Sequence, residues 1–191
     1  MKYLLTFLFL FVFTVFAAAA TLEDYAAAIA QVYTLTSNFK EEKHISLLNA
    51  PIESEGSLSF DKKAQELLWQ YQKPFENGFL IEKDLIYRLK NGQKQPVQNA
   101  VGKIMAAQML IWLTLDFDSL KQNYDITLNG NAITFVPKKS HKVIKQITVI
   151  PDEVNPQIIR QVKMEEPEGD FILWTFTDTK INPAAAKEVL E

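Results

Sequence analysis

The chain has 191 residues, a formal net charge of −3 and no cysteine. The acidic balance leaves no basic patch for a phosphate backbone, which speaks against nucleic acid as a partner. Without cysteine there is no disulfide, no thiol metal ligand and no lipid-modified cysteine, so an apolar core must hold the fold by itself.

Residues 1–20 read as a secretory signal. Met1-Lys2 gives a positive start, Leu4 to Phe16 is apolar apart from Thr6 and Thr14, and Ala17 to Ala20 offers the small residues of a cleavage site. Leu4 to Ala20 is barely long enough for a membrane anchor. Cleavage after Ala20, or a residue or two earlier, is expected to release a single domain, residues 21–191, soluble in the periplasm.

Thr21 stands three residues ahead of Asp24, a helix-start pattern. Leu22, Tyr25, Ala26, Ile29, Val32 and Tyr33 recur at helical spacing and predict an amphipathic helix of about four turns. From Phe39 the period changes. Ser57 to Phe60, Leu67 to Tyr71, Phe79 to Glu82 and Leu85 to Leu89 read as strands, interrupted by Pro74, Asn77-Gly78 and Lys83-Asp84. Pro96 suits the first turn of a helix. Val101 to Leu115 is apolar on nearly every side and wants cover all round. Asp116 or Asp118 suits the cap of a further short turn through Leu120. Tyr124 to Leu128 and Ala132 to Val136 flank Asn129-Gly130-Asn131, a strong hairpin signal. Lys145 to Ile150, Ile158 to Met164 and Phe171 to Thr177 complete the strands. The fold expected is α+β and mainly β: a strongly curved antiparallel sheet closed by the first helix and the Val101–Leu115 segment. Its interior is either filled by side chains or left hollow for a ligand.

Reactive chemistry is hard to find. His44 and His141 lie in unrelated contexts without ligand-spaced partners, so two surface histidines and no metal site are expected. No nucleophile elbow, glycine-rich phosphate loop or His-Glu-x-x-His occurs. Asp116 and Asp118 point apart on a helix. Glu165, Glu166, Glu168 and Asp170 surround Gly169 as a solvated turn. A carboxylate-pair glycosidase stays open as a possibility, because such pairs are assembled in space. Met105 and Met109 sit four residues apart beside Leu110, Trp112 and Leu113. Methionine adapts to irregular partners, which suits either a core or a site for flexible chains.

The order of motifs resembles one known family, the periplasmic outer-membrane lipoprotein carrier proteins (LolA-like). Gly56-Ser57-Leu58-Ser59-Phe60 leads to Leu68-Trp69-Gln70-Tyr71 and Pro74. Phe79-Leu80-Ile81 and Leu85-Ile86-Tyr87 follow, then Tyr124 to Leu128 with Ile133 to Pro137-Lys138, Ile144 to Val149 and Phe171 to Asn182. The resemblance implies an incompletely closed antiparallel β-barrel with a helical lid, no cofactor and no enzymatic activity. It implies a carrier or chaperone that takes lipoproteins from an inner-membrane ABC-type exporter, shields their acyl chains, and passes them to an outer-membrane receptor. The expected hydrophobic cavity and lid comprise Phe60, Trp69, Phe79, Ile81, Tyr87, Met105, Met109 and Trp112.

Two departures stand out. Where the family has an Arg-Pro latch for the lid, this chain reads Lys63-Ala64, and lysine lacks the planar donor fork of arginine. Lys63 is the latch candidate, with Lys62 its equal. The chain also stops soon after Asn182-Pro183, where carriers usually continue into one more strand. Both suggest a divergent, shorter member; a monomer is expected. Alternatives are a carrier of another lipid or glycolipid-linked product, and a non-carrier exported assembly module or enzyme.

Overall fold

The computed structural model describes residues 20–83, 85–90, 92–97 and 117–182. They form helix α1 (Leu22–Ala30), strands β1 (Thr34–His44), β2 (Ile52–Asp61), β3 (Glu66–Lys73), β4 (Asn77–Glu82), β5 (Leu85–Lys90) and β6 (Gln93–Pro96), then helix α2 (Phe117–Asn123). Strands β7 (Tyr124–Asn129), β8 (Ala132–Pro137), β9 (Gln146–Pro151), β10 (Ile159–Glu165) and β11 (Phe171–Ile181) follow. All eleven strands join one antiparallel sheet in the order β6-β5-β4-β3-β2-β1-β11-β10-β9-β8-β7. The first and last strands meet in the middle as its two longest members, and two arms spread from them. The outer strands β6 and β7 do not pair with each other, so the sheet curls without closing. This is the expected mainly-β, incompletely closed architecture.

The helix start is as expected. Thr21 Oγ1 accepts from the Asp24 amide at 3.2 Å, and Asp24 Oδ2 accepts from the Thr21 amide at 2.8 Å. The two bonds satisfy two orphan donors of the first turn. The helix itself is shorter than its apolar stripe suggests, because it stops at Ala30. Asn182 Oδ1 accepts from the Tyr33 and Thr34 amides at 2.7 and 3.2 Å, and its Nδ2 donates to the Gln31 carbonyl at 2.9 Å. These bonds draw the chain off the helix and into β1, leaving Tyr33 55% exposed.

Pro96 does not begin a helix. It is the last residue of β6, opposite Tyr87, on the outer strand of the sheet. An edge strand needs no amide on its outward side, so proline is tolerated there. The hairpin signal holds: Asn129 and Ala132 pair across a turn in which Gly130 has φ +62°. Such backbone costs a side-chain-bearing residue energy that glycine avoids.

Packing divides by arm. Tyr25 and Ile29 of α1 and Phe117 and Leu120 of α2 pack on Phe135 and Val149 of the β7–β10 arm. Lys121 and Glu23 bridge the helices at 3.8 Å. On the other arm Phe39, Leu58, Trp69 and Phe176 form one cluster, and Phe60, Leu67 and Ile81 form a second. Ile159 and Val162 touch both the helix-covered cluster and the Trp69 cluster. The space between those clusters is the site described next. The Val101–Leu115 segment expected as the lid, residues 1–19 of the expected signal and Asp116 lie outside the described residues.

Candidate functional site: an apolar cavity in the curled sheet

Strand alternation aims one set of side chains at the hollow. On β1 these are Leu35, Ser37, Glu41 and Lys43; on β2 and β3, Leu58, Trp69 and Tyr71; on β4, Phe79. The other arm supplies Ile147, Ile159, Val162 and Met164, and β11 supplies Ile172, Trp174, Phe176 and Thr179. Ile29 and Val32 lie at the end of α1. Together they bound a cavity of about 800 Å³. Its walls are apolar almost throughout, and its size falls within the range of small-molecule sites.

A bulge in β11 shifts which of its residues face inward, from Ile172, Trp174 and Phe176 to Thr179. Ser37 of β1 stands opposite both Asp178 and Thr179 of β11, because the register jumps from Thr36↔Lys180 to Asn38↔Thr177. Asp178 takes φ +53°, and its carboxylate accepts from Asn38 Nδ2 at 3.1 Å. Ser37, only 5% exposed, donates or accepts through Oγ to Thr179 Oγ1 at 2.8 Å and lies 3.0 Å from the Thr177 carbonyl. A buried hydroxyl on an apolar wall is thereby satisfied.

The wall is strongly aromatic. The Trp69 ring lies 4.4 Å from Phe39, 6.1 Å from Phe79 in a stacked pair, and 6.3 Å from Phe176 edge-on. Its indole N–H is buried without a hydrogen-bond partner among the described residues. One carboxylate interrupts the wall. Glu41 Oε2 accepts from the Tyr71 hydroxyl at 2.6 Å and from Trp174 Nε1 at 2.7 Å. Burial, followed by the Glu41 charge and hydrogen bond, pushes the Tyr71 phenol far above its ordinary pKa. Tyr71 therefore remains a neutral donor throughout the physiological range.

One end of the cavity is polar. Lys43 lies near the end of β1, and Ser140, His141 and Lys142 come from the loop between β8 and β9. The register places these elements at the same end of the sheet: His44 pairs with Phe171, Phe171 with Glu165, and Glu165 with Gln146. His141 Nδ1 accepts from the amides of Val143 and Ile144 at 3.2 and 3.0 Å. Its neutral ring therefore carries its proton on Nε2. On the outer face of β1, Lys40 pairs with Glu42 and Glu53 at 3.0 Å, and Glu42 lies 3.5 Å from His44. Lys43 on the inner face makes no ion pair among the described residues.

Of the residues expected at a hydrophobic site, Trp69 and Phe79 line the cavity. Phe60 and Ile81 are buried beside it, packed with Leu67 against Leu35 and Phe79. Tyr87 lies outside the lining, with Lys94 Nζ 4.3 Å from its ring centroid. Met105, Met109 and Trp112 fall outside the described residues. Lys63 is exposed on the β2–β3 turn, and the lid it was expected to hold is likewise outside them. Lys62 Nζ instead reaches the Ala30 carbonyl at 3.4 Å and sits 5.8 Å from the Tyr33 ring centroid. Of the two histidines, His141 lies at the cavity rim and His44 stacks on Phe171 at 4.1 Å. Among the described residues no group of three His, Asp or Glu could hold a metal ion.

The sequence missed Leu58, Ile147, Val162, Trp174 and Phe176. Their alternation was visible, but alternation alone does not say which face turns inward.

The family described as outer membrane lipoprotein carrier protein LolA matches residues 30–190, a stretch that spans every strand of the sheet and α2 but only the last residue of α1. The chain belongs to the LolA family. No curated protein sequence matches it significantly. Solved structures share the LolA-like fold at low identity. The MucA/MucB complex of Pseudomonas aeruginosa matches at 15% identity and TM-score 0.54, over 89% of this chain and 59% of that one. This chain thus spans less than two thirds of that neighbour's length. An uncharacterized conserved protein from Thermus thermophilus matches at 8% identity and TM-score 0.53, over 88% of this chain and 92% of that one. A DUF1329 family protein from Desulfovibrio piger matches at 10% identity and TM-score 0.50, over 88% and 95%. Such identities establish the fold and nothing finer. Among the described residues no helix is long and apolar enough to cross a membrane.

Proposed function

We propose that this LolA-family protein is a non-enzymatic periplasmic carrier that shields the acyl chains of lipoproteins in transit between the inner and outer membranes. The apolar cavity between the two arms of the sheet carries this reading. Burying about twelve methylenes there would contribute about 10 kcal/mol, before the cost of ordering the chain is subtracted. That suffices for holding cargo. In this reading residues 1–20 direct export and residues 21–191 act as one monomeric domain. The lid carries Met105, Met109 and Trp112, and Lys63 or Lys62 latches it. An ABC-type exporter supplies the cargo, and an outer-membrane receptor accepts it.

The test is release. Membranes bearing the exporter and a radiolabelled lipoprotein are incubated with the purified protein and ATP. Appearance of lipoprotein in the supernatant, bound to the protein, supports the reading. Retention of all label in the membrane refutes it. A second reading, with a free lipid as cargo, draws support from the polar end of the cavity. Lys43, Ser140, His141 and Lys142 make a head-group environment that a bare hydrocarbon does not need.

A further inference from the structure

We propose that the Lys43–Lys142 end of the cavity takes the phosphate of an anionic glycerophospholipid, whose acyl chains run along the apolar wall. The proposal rests on the carrier reading and narrows its cargo.

Four donor-bearing residues line the cavity at the same end of the sheet: Lys43, Lys142, Ser140 and His141. The His141 donor is fixed by the two backbone amides that occupy Nδ1. A phosphodiester presents charged acceptors to such a set, and charge-assisted hydrogen bonds are the strong kind. Lys43 has no carboxylate within ion-pair distance among the described residues. Asp170 lies near enough to feel its charge, but that carboxylate is engaged first by the Ser46 amide at 2.8 Å.

The negative group on the same wall sharpens the fit. Glu41 stands two residues along β1 from Lys43, about 7 Å further along the strand, with Oε2 held by Tyr71 and Trp174. A fixed carboxylate there repels a phosphate, so the anion stays at the lysine end while neutral ester groups and chains pass Glu41. Cations at one end, a carboxylate beyond them and aromatic and aliphatic side chains around the hollow match an amphiphile with one anionic head.

The experiment measures binding of dioleoyl-phosphatidylglycerol and dioleoylglycerol in neutral detergent micelles to the full chain and to the double variant Lys43→Gln/Lys142→Gln. Lys142 is exposed and Lys43 half-buried without an ion pair, so the fold is not at stake. Circular dichroism confirms it. Wild type should prefer the phosphatidylglycerol, and the double variant should lose about tenfold of that affinity while binding dioleoylglycerol unchanged. Raising salt should weaken only the phosphatidylglycerol. Equal binding of the two lipids by wild type, or an equal loss of both in the variant, overturns the proposal and leaves the carrier reading standing. Binding of neither lipid removes the carrier reading as well.

Discussion

Gly56 is where a single methyl group should be felt throughout the site. It lies on β2, between Phe39 of β1 and Tyr71 of β3. A Cβ built there falls 2.1 Å from the Gln70 carbonyl oxygen and 2.5 Å from Phe39 Cζ. The first neighbour is backbone of the adjacent strand and cannot swing away. The second is a buried ring, 3% exposed, packed at a tilt on Trp69. Gly56→Ala must either part β2 from β3 or tilt Phe39 and Trp69 into the cavity. Overpacking costs about 1–3 kcal/mol, and a clash with backbone belongs near the top of that range. Reduced freedom of the unfolded chain returns about 0.5–1 kcal/mol. The net loss is then about 2 kcal/mol, or about 4–8 °C in Tm for a domain of this size. Differential scanning calorimetry reads the loss, and a changed tryptophan emission reads the shifted Trp69. A Tm equal to or above wild type would show that the Phe39–Gly56–Gln70 contact is not as close as described.

Asn182→Ala removes three hydrogen bonds that join α1, β1 and the end of β11, and should cost about 2–3 kcal/mol in urea unfolding. Asn182→Gly keeps its backbone at φ +48° unstrained and should lose nearly as much, which separates the side-chain bonds from backbone strain. Thr21 holds the Asp24 carboxyl below its usual pKa through backbone and side-chain hydrogen bonds. A lowered native pKa adds stability above the ordinary carboxylate range and loses it as pH falls through the native value. Asp24→Asn, which removes the titrating carboxyl, should therefore flatten the acid side of the stability profile measured by thermal melts. For Tyr71 the sign is opposite. Its raised pKa, caused first by burial, favours the native state fully below the unfolded tyrosine value near 10 and progressively less above it. Tyr71→Phe should lose less stability than wild type between about pH 10 and 12, as read by urea melts in that window.

The strands that the sequence displayed are those whose apolar alternation is dense: Leu67 to Tyr71, Ala132 to Val136 and Phe171 to Thr177. The strand at the centre of the sheet was the least visible. Beyond Phe39, β1 reads Lys40-Glu41-Glu42-Lys43-His44, five polar residues in succession. Its register is fixed by neighbours on both sides and not by its own pattern. Its outer face is stabilised by a ladder of ion pairs, while its inner face places Glu41 against Tyr71 and Trp174. Those partners lie 30 and 133 residues away along the chain, so no local window could show that the carboxylate belongs to an otherwise apolar wall. The overlong helix reading failed for a similar reason. Val32 does continue the apolar face of α1 and reaches the cavity, but Asn182, distant in sequence, ends the helix first. Strand alternation puts Trp69 and Tyr71 on one face of β3; only the packed sheet shows that this face turns inward.

The hollow follows from how the two arms meet their apolar needs separately. A closed barrel of about eight strands leaves an interior that side chains can fill. Here eleven strands curl without closing, and each arm buries its own cluster: one under α1 and α2, the others around Trp69 and Leu67. Ile159 and Val162, shared between clusters, stay half-buried, as do Met164, Ile172 and Trp174 along the same wall. Covering that apolar surface would stabilise the fold by about 25 cal/mol per Å², and larger side chains at these positions would supply the cover. Glu41 and Lys43 face the same space, where a sealed interior would make both charges costly. A sheet shaped only for stability would close over apolar residues alone. Among its described residues this one leaves part of that burial unmet, and in the carrier reading proposed above a molecule that brings its own hydrocarbon supplies it.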